Sequence, residues 1–151
     1  MGYEGLCIAI YDQPDLVDAM FERVGGIFLA LNKVICEFPR VAFLIGGDDM
    51  GYKTQTMIDP QILIDKAISW HKKLADVAHQ NGKLYLLHSC GNLEALMPAM
   101  LEAGIDGRHS FEDVIEPVTE IKKRWGDKMT LLGGIDMNFL TLSDEESVRI
   151  R

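Results

Sequence analysis

No stretch of the chain stays apolar for the roughly 18 residues that a membrane-spanning helix requires. Nor does a secretory leader open it: the first segment carries Tyr3 and Glu4 and no basic residue. Cysteine is scarce. Cys7, Cys36 and Cys90 are odd in number and far apart, which excludes a disulfide framework. Lys and Arg form no extended patch, and 15 of them against 23 Asp and Glu leave a net charge of -8. Nucleic acid is therefore not an expected partner, because phosphate binding needs clustered positive charge. These absences point to a reducing cytoplasm, with no membrane or nucleic-acid role. What remains is ordinary for a globular chain: 48% apolar and 25% charged residues over 151 positions, enough for one domain.

Periodicity supplies the elements. Residues 2–11 are short and apolar, and could be helix or strand. Pro14 in a first turn starts a helix whose Leu16, Val17, Met20, Phe21 and Val24 recur at helical spacing. It can run on through Phe28, Leu31, Val34 and Ile35, although Gly25-Gly26 weakens its middle. Val41–Ile45 is a continuous apolar run after Pro39, as in a strand buried on both faces. Asp59-Pro60 opens the next helix, with Ile62, Leu63, Ile68, Leu74, Val77 and Ala78 on its apolar side and Asn81-Gly82 as its end. His71 and His79 on that helix read as surface or helix-end residues.

The pattern repeats. Lys83–His88 is a strand, followed by a helix carrying Leu93, Leu96, Met97, Met100 and Leu101. A short extended piece covers about Ile105 to Ser110. Val114, Val118, Ile121 and Trp125 predict a further helix, and Met129–Leu132 a further strand. Ser143 and Glu146 have the spacing of a capping box for a last helix. Strand and helix thus alternate about four times, which predicts a parallel sheet, either doubly wound or part of a closed barrel. A closed barrel takes eight such units.

His88-Ser89-Cys90-Gly91 carries the clearest chemical signal. Residues i and i+2 of a strand share a face, so imidazole and sulfur emerge together. Both are preferred zinc ligands, and Gly91 allows a tight turn around an open site. The plainer alternative is a buried Cys beside a hydrogen-bonded His at a strand end. In parallel α/β folds ligands bind at the carboxyl ends of strands. The strand exits here carry Asp48 and Asp49, then His88 and Cys90, then His109, Ser110, Glu112 and Asp113, then Asp136. Asp48 and Asp136 rank first among the acids, since each follows a glycine-containing strand end. Any of these acids could instead cap a helix or form a turn.

The segments GGDDMGYKTQTMIDPQ (46–61), WHKKLADVAHQNGK (70–83), LYLLHSCGNL (84–93), GIDGRHSFEDVIEP (104–117) and LLGGIDMNFL (131–140) resemble the uroporphyrinogen decarboxylase family in order and spacing. The resemblance implies a partial (β/α)8 barrel: about four parallel strands with flanking helices, residues 1–151 forming one incomplete domain. Decarboxylases of this family use no metal and rely on an early aspartate and on arginines. A methyltransferase branch resembles this chain in its His-x-Cys pair, which with a later cysteine holds Zn²⁺. That later cysteine would fall beyond Arg151.

The resemblance implies His88 and Cys90 as metal ligands. Asp48, Glu112 and Asp136 are the candidate catalytic residues, with Asp48 or Glu112 able to fill a fourth position or orient a ligand. The implied reaction moves a methyl group from a methylcorrinoid, carried by a separate corrinoid protein, to a small thiol. The alternatives are uroporphyrinogen decarboxylation and a catalytically inactive chain. An open half-barrel also leaves sheet edges unpaired, so pairing with a second copy is a further expectation.

Overall fold

The computed structural model describes residues 2–150. Residues 2–11, undecided from sequence, contribute to a helix, α1 (Tyr3–Asp12). Gln13 is the joint to α2 (Pro14–Cys36), where Pro14 occupies the first turn. Gly25-Gly26 does not interrupt α2, because Gly25 lies flat on the Trp70 indole of a later helix. Lys83 anchors the connection between α2 and the first strand: its buried ammonium donates to the carbonyls of Phe38 at 3.1 Å and Val41 at 2.7 Å.

Strand β1 is Phe43–Gly47, two residues later than the apolar run predicts. The helical crossover out of β1 begins with α3 (Pro60–Leu63), where the Asp59 carboxylate accepts from the Gln61 N–H. A π-helical segment (Ile64–Ile68) leads into α4 (Ser69–Gln80). Gly82, at φ +65°, turns the chain into β2 (Leu84–His88). A 3₁₀ turn (Glu94–Leu96) precedes α5 (Met97–Glu102), followed by β3 (Gly107–His109).

Two predicted helix starts move. The helix read from Val114 begins at Val118, as α6 (Val118–Trp125). Pro117 is its cap, and a proline disfavours helical backbone in the residue before it. After β4 (Thr130–Leu132) and α7 (Met137–Leu142), Ser143 ends α7 rather than capping the next helix. Asp144 does that, accepting from the Ser147 N–H at 2.8 Å, and α8 spans Glu145–Ile150.

The four strands are parallel and lie in the order β1-β2-β3-β4. A doubly wound sheet reverses its order at a switch point. Here sequence neighbours are always spatial neighbours, as around a barrel. The register puts Gly47 beside His88, and His88 beside His109. Leu44, Tyr85 and Leu87 point to the helix-covered face and are buried with Leu74, Ala75, Ala78, Met97 and Met100. Each large side chain so buried is worth roughly 1.5–3 kcal/mol.

The expectation of strands buried on both faces fails for β1. Phe43 is 49% exposed, Ile45 60% and Leu84 of β2 53%, whereas Leu44 is 4%. Helices cover one face only, and alternate side chains on a strand point to opposite faces. The structure is thus a four-stranded arc of a (β/α) barrel with its inner face open. Among the described residues no helix is long and apolar enough to cross a membrane.

Candidate metal centre

Strands β1 and β2 end level with one another. Counting by twos along the open face gives Phe43, Ile45, Gly47 and Asp49 on one chain segment, and Leu84, Leu86, His88 and Cys90 on the next. Asp49 and Cys90 therefore emerge side by side above His88. The Cys90 Sγ lies 3.5 Å from His88 Nε2, and an Asp49 Oδ1 lies 3.7 Å from the same nitrogen. One donor atom from each residue falls within 4.8 Å of the other two.

The donor set can be tested against zinc. A tetrahedral ion with bonds of about 2.0 Å to nitrogen and about 2.3 Å to sulfur holds those atoms about 3.5 Å apart. The His88–Cys90 spacing meets that without rearrangement, and a carboxylate oxygen is an accepted third ligand type. The residues fit the group.

The loop bearing Cys90 is held through its backbone. Ser89 N–H donates to the His109 carbonyl at 2.6 Å, and the buried Ser89 hydroxyl accepts from Met50 N–H at 3.0 Å. Cys90 N–H donates to Asp49 Oδ1 at 3.2 Å, and Gly91 N–H to Glu112 Oε1 at 3.3 Å. Tyr3 of α1 donates its hydroxyl to the Asp49 carbonyl. Burial pushes the Cys90 thiol up from its ordinary value, with the Asp49 and Glu112 charges adding to the rise and the Ser110 hydroxyl opposing it. Ion binding there would have to displace that proton.

Of the three acids favoured by sequence, Asp48 and Asp136 sit elsewhere. Asp48 faces α4, where its Oδ2 is 3.1 Å from His71 Nε2. His71 is buried, not at the surface as expected, and its Nδ1 is 2.8 Å from the Tyr85 hydroxyl. Burial, then the Asp48 charge, holds that phenol well above its usual range. The Tyr85 oxygen occupies the space a Cβ on Gly46 would take, 2.2 Å from it. His79 does sit at its helix end, 2.7 Å from Asp106. Glu112 reaches the site by accepting from the Gly91 N–H and through its charge on the Cys90 thiol. Asp136 caps α7, accepting from Phe139 N–H at 3.0 Å.

Asp49 and His71 each had a readable signal. Asp49 lies two residues beyond Gly47, the parity of the open face once β1 is placed correctly. His71 lies three residues from both Ile68 and Leu74, on the apolar side already assigned to that helix. No solved structure and no curated protein matches the chain with significance. The family model described as uroporphyrinogen decarboxylase (URO-D) matches residues 1–151, the whole chain. With the sequential parallel arc already in place, the chain belongs to the uroporphyrinogen decarboxylase family.

Proposed function

We propose that the protein binds zinc through Asp49, His88 and Cys90 and transfers a methyl group from a methylcorrinoid, presented by a separate corrinoid protein, to a small thiol. The observation carrying this reading is the convergence of a carboxylate, an imidazole and a thiol within 4.8 Å at the carboxyl ends of two adjacent parallel strands. The likeness of the His-x-Cys pair to the methyltransferase branch of the family supports it further. The site uses a carboxylate from β1's exit loop beside the two expected donors, so three ligand types are present without a second cysteine.

Zinc held there would favour the thiolate form of a bound thiol at neutral pH. The protein residues supply the rest. His88 at the end of β2 and Cys90 on its exit loop supply two donors. Asp49 brings a carboxylate whose same oxygen also accepts the Cys90 N–H, tying ligand loop to ligand loop. Asp48 faces α4, where it is held 3.1 Å from the buried His71. A reducing cytoplasm suits Cys7, Cys36 and Cys90, all of which are free thiols.

Metal analysis of the purified protein is the first test. About one zinc per chain is expected, with most of it lost in Cys90→Ala and in His88→Ala. Methylcobalamin and 2-mercaptoethanol should then support loss of the methyl–cobalt absorbance only in the zinc-loaded wild type. Cys90→Ala that keeps its zinc would end the proposal. Turnover of uroporphyrinogen in the presence of chelator, unchanged in Cys90→Ala, would assign the protein to the decarboxylase branch instead.

A further inference from the structure

We propose that strand β3, which supplies no ligand, sets the donor geometry of the site through two adjacent residues, His109 and Arg108. The inference rests on the zinc reading for its purpose, though not for its geometry. Successive strand residues point to opposite faces. β3 can therefore act on the site from both sides of the sheet at once.

On the open face, His109 stands directly opposite His88 in the register. The two Nδ1 atoms are 2.7 Å apart, and the rings are tilted by 33° with centroids 4.9 Å apart. Two imidazole nitrogens at that distance must share a single hydrogen. If His88 presents a lone pair at Nε2, toward Cys90 and Asp49, its own hydrogen sits on Nδ1 and is donated to His109. His109 then carries its hydrogen on Nε2. Of the two directions the spacing allows, donation from His88 is the one that leaves its Nε2 able to accept a cation, and in either direction the contact fixes the plane of the ring.

On the covered face, Arg108 grips the loop that carries Cys90. Its Nη2 donates to the carbonyls of Gly91 at 2.9 Å, Ser110 at 3.2 Å and Ser89 at 3.5 Å. Ser89 and Gly91 flank Cys90, so both chain neighbours of the sulfur-bearing residue are held by one nitrogen. The guanidinium stacks 4.4 Å over the Phe111 ring, and Nη1 approaches Met97 Sδ at 3.8 Å. The residue is only 4% exposed, and among the described residues no carboxylate pairs with it directly and its buried Nε has no hydrogen-bond partner. A charge buried in such a place is costly, and the carbonyl contacts and the stacking on Phe111 are what offset it here. Burial lowers its pKa to about 10, still leaving it cationic at neutral pH. The three carbonyls belong to the exit loops of β2 and β3, and they converge on Arg108 Nη2.

The test uses the full chain, with zinc as the probe and two readouts. The first is zinc affinity by competition with a chromophoric chelator. The second is the His88 tautomer, read from the ¹⁵N shifts of its ring in the metal-free protein. His109→Leu should weaken zinc about 10- to 100-fold and release His88 from the Nδ1–H form. His109→Gln, whose side-chain oxygen can accept the same hydrogen, should recover most of both. Arg108→Met should weaken zinc about tenfold or more while leaving the His88 tautomer unchanged. The His109 variants decide the question even if Arg108→Met does not fold. Wild-type zinc affinity and an unchanged His88 tautomer in His109→Leu would overturn the proposal. A wild type that takes no zinc, yet shows the Nδ1–H form lost in His109→Leu, would uphold the positioning and defeat the zinc reading alone.

Discussion

Gly91 is where the two ligand loops meet. It stands at φ +82°, and a Cβ there would lie 2.3 Å from the Gly51 carbonyl carbon. A Cβ on Gly51 would in turn lie 2.6 Å from the Cys90 carbonyl oxygen. Both obstacles are backbone, which cannot swing aside as a side chain can. Gly91→Ala therefore meets two penalties, a left-handed backbone worth about 1–2 kcal/mol and a forced separation of the loops carrying Asp49 and Cys90. The expected outcome is a lower urea midpoint with an unchanged slope, together with loss of zinc. Gly82, also at positive φ, has nothing within 4 Å of its would-be Cβ. Gly82→Ala should show the stability loss without the zinc loss, separating backbone strain from loop contact.

At the level of elements, the glycine pair in α2 divides the same way. Gly25 is buried against Trp70 of α4, and an added Cβ would lie 2.2 Å from the indole. Gly26 has open space around it. Helix propensity alone favours alanine at both positions by about 0.5–1 kcal/mol. Packing reverses the sign at one of them. Gly25→Ala should lower stability by about 1–3 kcal/mol, the range for overpacking. Gly26→Ala should raise it by about 0.5–1 kcal/mol. Paired chemical denaturation of the two variants checks both signs in one experiment, and equal shifts would mean that α2 does not lie on α4 through Gly25.

For the molecule as a whole, the uncovered surface dominates. Phe43, Ile45 and Leu84 stand exposed on the inner face of the arc, and Val24, Ile27, Phe28, Leu31 and Val34 are exposed along α2. Contiguous apolar surface of this kind promotes association, and the outer edges of β1 and β4 have no strand partner among the described residues. The 151-residue chain is expected to self-associate, giving a light-scattering mass that rises with concentration on a sizing column. Ile45→Lys should shift that mass toward monomer. A concentration-independent monomer of wild-type protein would show that these faces are covered in some other way.

Features that depend on neighbours along the chain can be read from residue order. The alternation of strand and helix was legible, as were the proline-started helices at Pro14 and Pro60 and the shared direction of His88 and Cys90. Each arises from a period of 2.0 or 3.6 residues or from a turn residue's own backbone preference. Where local signals competed, they misled: Val114 extended a helical pattern across Pro117, and Ser143 offered a cap that Asp144 took. Packing and pairing in three dimensions were needed to show that Asp49 rather than Asp48 joins the pair, that the signal for burial of His71 outweighs its polarity, and that His109 and Arg108 stand beside the site on opposite faces. Those outcomes hang on cross-strand register and on which side of the sheet the helices cover. Register is set by pairing between segments about 20 to 40 residues apart, and a shift of one residue turns every side chain to the other face.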